Sequence, residues 1–196
     1  ITLKGFISLL GERQKITVCE IGCGGGDNLA AIVYWCNKNG IEVQCTGIDL
    51  KAECITLARE RYILQGIADW IVSDYAAVAF TVKPDIIFSS LFCHHFTDEE
   101  LVQQLQWMQA NSALGFFIND LHRNWLAYHS IRLLTKLFSS SYIVKNDAPI
   151  SVARGFQKKE WETSCKRDGI SQPDIQEKWE CRHLIVRGEE GYETFI

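Results

Sequence analysis

The stretch Cys19–Asn28, CEIGCGGGDN, decides the fold of this chain. It places glycine at four of the five positions 22–26, directly after an apolar run. Glycine lacks a Cβ atom, so such a segment can turn sharply and let a ligand lie against bare main chain. The pattern predicts a buried strand over Lys15–Ile21 and a helix over Leu29–Lys38, with Asp27 or Asn28 as the N-cap. A glycine-rich strand-to-helix turn of this kind is typical of a ligand-binding loop.

The rest of the chain alternates strand and helix patterns. Further strands are expected at Glu42–Ile48, Trp70–Ser73, Pro84–Ser90 and Leu114–Ile118, and further helices at Lys51–Gln65 and Thr97–Gln109. The last fifth predicts a helix at Gln157–Asp168, followed by a strand pair at Asp174–Trp179 and Cys181–Arg187. This order favours an α/β fold with a parallel sheet and helices on both faces. Ligands in such sheets bind beyond the carboxyl ends of the strands, near the point where the strand order reverses.

Composition limits the class of protein. A chain of 196 residues with 47% hydrophobic content can bury one sizeable core, so we expect a single domain over residues 1–196. The net charge of −4 gives no reason to expect a nucleic-acid partner. The apolar run Ile86–Phe96 is too short to span a membrane. The eight cysteines form no CxxC pair, so we expect no metal site or disulfide, and reduced thiols in a cytoplasm.

The residues of the glycine loop discriminate between cofactor classes. A dinucleotide fingerprint starting at Gly22 and Gly24 needs its third glycine at residue 27, which is Asp27. A pyrophosphate on this helix N-terminus would also meet the carboxylates of Glu20 and Asp27. The loop therefore favours a ligand with no phosphate and some positive charge. An NAD(P)-dependent reductase is disfavoured on these grounds but stays open as an alternative.

The segment Glu20-Ile-Gly22-Cys-Gly24-Gly-Gly26 fits the motif E/D-x-G-x-G-x-G. Here the sequence resembles the class I S-adenosylmethionine-dependent methyltransferases, in the small-molecule branch that includes quinone-biosynthesis and secondary-metabolite enzymes. The resemblance covers residues 15–120 and the terminal strand pair. It implies a Rossmann-like, doubly wound, mostly parallel seven-stranded sheet with an antiparallel last strand. It also implies a helical, lid-like insertion after strand five, at about 120–155, and an N-terminal lid that is incomplete in this sequence.

The resemblance further implies that S-adenosyl-L-methionine is the cofactor. The glycine loop would then pack against its methionine portion, with Glu20 near the ammonium. Asp49 matches the acid that binds both ribose hydroxyls, and Asp74 matches the acid near the adenine amino group. The complete set of cofactor-binding residues expected on this basis is Glu20, Gly22, Cys23, Gly24, Gly26, Asp49, Leu50, Ser73, Asp74 and Tyr75.

The chemistry at the acceptor is expected to involve a histidine. Leu91-Phe-Cys-His-His-Phe96 resembles a motif that follows strand four in the same branch. Histidine is the natural general base near neutral pH, so His94 or His95 is the candidate catalytic residue for a hydroxyl acceptor. A packing or helix-capping role for both histidines is the alternative.

The segment 121–159 carries seven Lys and Arg residues against one acid, in a chain that is acidic overall. Either it covers an aromatic acceptor, or it forms a homodimer face, or its charges simply face water. Candidate substrate residues within it are His122, Arg123, Trp125 and Arg154. The segment also resembles bacterial methyltransferases of secondary or pigment metabolism, which implies O-methylation of an aromatic, quinone-like or polyketide-derived small molecule. A non-catalytic module that only binds S-adenosylmethionine stays open.

Overall fold

The computed structural model describes residues 2–123, 155–167, 174–178 and 182–188. The strands are β1 Lys15–Ile21, β2 Glu42–Asp49, β3 Ala68–Val72, β4 Ile86–Ser90, β5 Gly115–Leu121, β6 Asp174–Lys178 and β7 Arg182–Gly188. The α-helices are α1 Thr2–Leu10, α2 Asp27–Lys38, α3 Ala52–Arg59, α4 Asp98–Asn111 and α5 Lys158–Arg167. Single 3₁₀ turns lie at Tyr62–Leu64, Tyr75–Ala77 and Cys93–His95.

The seven strands form one sheet in the order β3-β2-β1-β4-β5-β7-β6. The pairs among β1 to β5 are parallel, whereas β7 runs antiparallel to both β5 and β6. The expected Rossmann-like sheet with an antiparallel last strand is thus confirmed. Its strand order reverses between β1 and β4, which is where a doubly wound sheet opens a crevice for a ligand.

Successive side chains of the central strands point to opposite faces of the sheet, so the core has two layers. Phe88 and Phe117 point to one face, where their rings stack 4.8 Å apart against α1 and α2. Their chain neighbours Ile87 and Phe116 point to the other face, against α4 and α5. Because both faces of β4 and β5 are covered, burial along these strands is nearly continuous, and the apolar residues Ile86–Phe88 and Phe116–Ile118 are consecutive rather than alternating.

The helix after the glycine loop begins differently from the prediction. Its N-cap is Gly26, at φ 75°, and no side chain caps it. The predicted caps were wrong because both side chains have other partners. Asp27 forms an ion pair with Arg61, and the Asn28 amide donates to Glu20 Oε1 at 2.8 Å. The loop is therefore held by contacts to neighbouring elements rather than by local capping.

Helix α1 was not predicted from the sequence. Its buried residues Phe6, Leu9 and Leu10 follow helical spacing and pack beside β5, β7 and α2. Helix α3 is shorter than predicted, since it ends at Arg59 and a 3₁₀ turn continues to Leu64. Thr97 is the N-cap of α4 and forms a capping box with Glu100.

The predicted insertion lies almost entirely at 124–154, outside the described residues, as do Trp125 and Arg154. The residues on either side of it are adjacent. The Phe156 amide donates to the Leu121 carbonyl at 3.1 Å, and the Arg123 amide donates to the Phe156 carbonyl at 3.2 Å. The chain thus leaves and rejoins the sheet at one place, beyond the carboxyl end of β5. Within the described ranges, every helix is too short or too polar to cross a lipid bilayer.

Candidate active site

A cavity of about 590 Å³ lies at the carboxyl ends of the parallel strands, beside the reversal of strand order. This volume is within the range of about 300–1,000 Å³ usual for small-molecule sites. Seven residues singled out in the sequence line it: Gly22, Asp49, Leu50, Ser73, Asp74, Tyr75 and His95. The fold therefore brings the ends of β1, β2, β3 and β4 together around one space.

Two glycines of the loop leave no room for a side chain. Gly22 adopts φ 64°, and a Cβ there would lie 2.4 Å from the Phe92 ring. Gly26 adopts φ 75°, and a Cβ there would lie 3.0 Å from Trp70. The aromatic rings of Phe92 and Trp70 thus occupy part of the space beside these two glycines. Glu20, Cys23, Gly24 and Gly26, which were also expected to bind the cofactor, are not among the lining residues.

Asp49 connects the glycine loop to the end of β2. Its Oδ2 accepts the Gly24 amide at 2.8 Å, and its Oδ1 accepts the Lys51 amide at 2.9 Å. A carboxylate oxygen has a second lone pair, so each oxygen can still accept another donor. Asp49 lines the cavity, and its orientation is set by two backbone bonds. The arrangement suits a ligand that offers two neighbouring hydroxyl groups.

Glu20 is a buried acid behind the loop, with only 1% of its surface exposed. Its Oε1 accepts the amide of Asn28, whereas its Oε2 has no hydrogen-bond partner in the described part of the chain. Burial, together with the nearby carboxylates of Asp27 and Asp49, raises the pKa of Glu20 to about 8, although the hydrogen bond from Asn28 opposes the shift. A cationic group would therefore find a favourable partner here.

The wall of the cavity beyond β3 is aromatic. The ring of Tyr75 lies 6.2 Å from that of Phe92 and 5.2 Å from that of Trp107, both in edge-to-face geometry. Burial raises the pKa of Tyr75 to about 12, with a contribution from Asp74. Asp74 itself accepts the amide of Ala76 at 3.0 Å, which fixes the turn that presents Tyr75. This wall provides a flat apolar surface next to a carboxylate.

The two histidines after β4 have different surroundings. His95 is exposed and lines the cavity, whereas His94 is buried and its Nδ1 lies 2.9 Å from Asp120 Oδ1. Their rings are 4.2 Å apart. The turn starts at Leu91, which at φ 56° is the one residue other than glycine with a positive φ among the described residues. Backbone strain of this kind is concentrated at functional sites.

Asp120 was not predicted from the sequence as a site residue. Its side chain is fully buried at the end of β5, and it contacts the turn that carries both histidines. The available signal was its position, because a polar residue at the carboxyl end of a parallel strand lies on the ligand-binding edge.

The candidate substrate residues at the end of β5 lie away from the cavity lining. Arg123 forms an ion pair with Glu160 of α5. The ring of His122 lies 4.5 Å from that of His183, whose Nε2 is 3.1 Å from the Phe156 carbonyl. A role in acceptor binding stays a prediction for both. No cluster of potential ligands within the described ranges could hold a metal ion.

Comparison with known proteins finds one family model that matches part of the chain and several solved structures of similar fold. Residues 18–111 match the family model described as a methyltransferase domain. No curated protein matches the chain. Among solved structures, a protein of Nostoc punctiforme PCC 73102, provisionally described as an O-methyltransferase, has a TM-score of 0.67 and 18% identity over 95% of this chain and 56% of that one. The plantazolicin methyltransferase BpumL in complex with SAH (S-adenosylhomocysteine) has a TM-score of 0.66 and 20% identity over 89% and 63%.

Magnesium protoporphyrin IX methyltransferase from Synechocystis PCC 6803, with bound SAH, has a TM-score of 0.64 and 12% identity over 95% of this chain and 80% of that one. The chain thus spans less than two thirds of the first two of these structures. The similarity to all three is one of fold. Together with the family match over residues 18–111, it shows that this part of the chain has the fold of a methyltransferase domain.

Proposed function

We propose that this protein transfers a methyl group from S-adenosyl-L-methionine to an oxygen atom of a small aromatic, quinone-like or polyketide-derived molecule. The observation that carries the proposal is the cavity at the reversal of strand order, where Asp49, Asp74 and His95 meet. Structural neighbours named for plantazolicin and magnesium protoporphyrin IX support a small-molecule acceptor. The provisional O-methyltransferase description of the Nostoc protein supports oxygen as the acceptor atom.

The residues present fit this cofactor. Both oxygens of Asp49 keep a lone pair for a ribose hydroxyl, while their backbone bonds hold the carboxylate in place. The aromatic wall at Tyr75 and the carboxylate of Asp74 suit adenine and its amino group. The unpartnered oxygen of Glu20 lies behind the loop that would hold the methionine portion, and a move toward the ammonium would satisfy it. A diphosphate at the loop would instead lie near the carboxylates of Glu20, Asp27 and Asp49.

The protein's contribution to the reaction is alignment and removal of a proton. When bound, S-adenosylmethionine would supply a methyl group carried on a sulfonium, and the sulfur would leave as a neutral thioether. A phenolic acceptor gives up its hydroxyl proton to an imidazole nitrogen of His95, so that the oxygen carries the electron pair that forms the new bond. The aromatic rings of Tyr75, Phe92 and Phe96 exclude water from one side, and a drier site favours a step that consumes charge.

Calorimetry with SAH tests the cofactor assignment. We expect an affinity in the micromolar range, about −8 kcal/mol. Asp49→Ala should weaken it about tenfold or more, because the ribose hydroxyls lose a charged acceptor. Asp69→Ala is the matched control, since Asp69 is exposed on β3 and outside the cavity lining. Unchanged affinity in Asp49→Ala would remove the ribose assignment, and binding of NADH in preference to SAH would favour the reductase alternative.

Mass spectrometry of reactions with a panel of phenols, hydroquinones, amines and thiols tests the acceptor class. A mass gain of one methyl group on a phenol or hydroquinone alone is the expected result. Methylated amines or carbon atoms would place the acceptor in another class. Tight SAH binding without turnover on any compound would favour a non-catalytic module.

A further inference from the structure

Asp120 is placed to control the turn that carries the histidines. Its Oδ2 accepts the amides of Phe92, at 3.0 Å, and of Cys93. Its Oδ1 accepts the amide of Leu121 at 2.7 Å and lies 2.9 Å from His94 Nδ1. The side chain is 0% exposed, so these four protein groups replace water around the carboxylate. One buried side chain on β5 thus orients the peptide after β4.

The same contacts set the state of His94. An ionised carboxylate only accepts hydrogen bonds, so Nδ1 of His94 is the donor, and in the neutral imidazole Nε2 is then the acceptor. The imidazole of His94 packs against that of His95, with ring centroids 4.2 Å apart. Asp120, His94 and His95 therefore form a continuous path from a buried negative charge to the wall of the cavity.

We propose that Asp120 is a positioning residue for methyl transfer, acting through His94 and the 92–95 turn to hold His95 against the acceptor. The inference rests on the function proposed above. The acceptor's hydroxyl proton passes to His95, which becomes an imidazolium. The carboxylate of Asp120 lies on the far side of His94 and stabilises this positive charge. An acceptor with an ionisable hydroxyl, such as a phenol or hydroquinone, is the class that gains from such a site.

Nuclear magnetic resonance of the full chain with ¹⁵N-labelled histidine tests the arrangement without any acceptor. The chain has five histidines, so single substitutions can assign their signals. In the wild type, with and without SAH, His94 should be the Nδ1–H tautomer. In Asp120→Asn the amide donates to Nδ1, so His94 should switch to the Nε2–H tautomer. An unchanged tautomer in this variant would overturn the proposal.

Kinetics with an acceptor found in the panel separate positioning from stability. Asp120→Asn should lower kcat about tenfold or more while SAH affinity stays within about twofold. Ser89→Ala is the matched control, because its hydroxyl is buried beneath the same turn and contacts the side chains of Cys93 and Gln104 rather than Asp120. Its kcat should change less than about threefold. Equal losses in the two variants would mean that Asp120 only stabilises the turn.

A double-mutant cycle with His95→Ala completes the test. In that background Asp120→Asn should cause no further loss of kcat, because its effect passes through the missing imidazole. If the two losses instead multiply, the proposal is wrong. His94→Phe keeps the backbone bonds of Asp120 and serves if Asp120→Asn does not fold; it too should lower kcat only while His95 is present. If no compound is methylated, the proposed function fails, while the tautomer measurement still decides the arrangement.

Discussion

Replacement of Glu20 by glutamine tests the environment behind the glycine loop most directly. Burial raises the pKa of Glu20 to about 8 from an ordinary value of 4.5, so the folded protein holds a proton that the unfolded chain has released between these pH values. Glutamine has nearly the same shape and can still accept the amide of Asn28, but it cannot ionise. The substitution therefore isolates the charge.

The expected size follows from the shift in pKa. A difference of 3.5 units between 8 and 4.5 corresponds to about 4–5 kcal/mol, at 1.36 kcal/mol per unit. The free energy of unfolding of the wild type is unaffected by Glu20 below pH 4.5, where both states are protonated. It falls as the pH rises toward 8 and then levels off, because both states are ionised. Glu20→Gln should remove this decline and so be more stable than the wild type at pH 8–9.

The charge of Glu20, which lowers the stability of the free protein, should instead favour ligand binding. An ammonium brought near Glu20 stabilises its ionised form, so binding should release about one proton at pH 6, where a free α-amino group is itself protonated. Glu20→Gln should bind SAH more weakly and release no proton.

The measurements are urea unfolding from pH 5 to 9, and calorimetry of SAH binding in buffers of different ionisation enthalpy. Glu53→Gln, at an exposed position of α3, is the control and should follow the wild type in both. The reasoning is refuted if wild type and Glu20→Gln show the same pH dependence of unfolding. Equal proton release in the two would remove Glu20 from the ammonium site.

Three further substitutions test how the cavity walls are held. Gly22→Ala should lower the free energy of unfolding by about 1–3 kcal/mol, because φ is 64° and the new Cβ would meet Phe92; urea unfolding measures this, and Phe92→Ala should recover part of the loss. Arg61→Gln removes the ion pair with Asp27, so SAH affinity should fall by about three- to tenfold in calorimetry while unfolding changes little. Thr97→Ala breaks the capping box and should cost about 1 kcal/mol in thermal or urea unfolding.

Much of the fold could be predicted because its signals are local. An apolar run followed by a glycine loop identified β1 with both of its ends correct. The acids that follow β2 and β3 are neighbours in space because parallel strands end at one edge, so Asp49 and Asp74 could be assigned to one site from their order alone. The strands, and the polar residues that follow them in the chain, could therefore be predicted without knowledge of packing.

The parts that could not be predicted depend on contacts between distant segments. Asp27 and Asn28 have the chemistry of N-caps, yet Arg61 and Glu20 compete for their side chains, and the cap falls to Gly26. Helix α1 carries no capping signal in the sequence. Its apolar residues could be recognised as a buried helix face only from their packing beside β5 and β7.

Asp120 shows the same limit at the site itself. The pairing of Ser90 with Asn119 sets the register of β4 and β5, and this register brings Asp120 beside the turn after β4. A one-residue slip between these strands would point Asp120 to the other face and leave His94 without its carboxylate. The position of Asp120 thus depends on strand pairing across the sheet, whereas the residues that line the cavity are placed by the sequence just after each strand. Sequence motifs alone therefore identify the residues that line the cavity but do not identify Asp120.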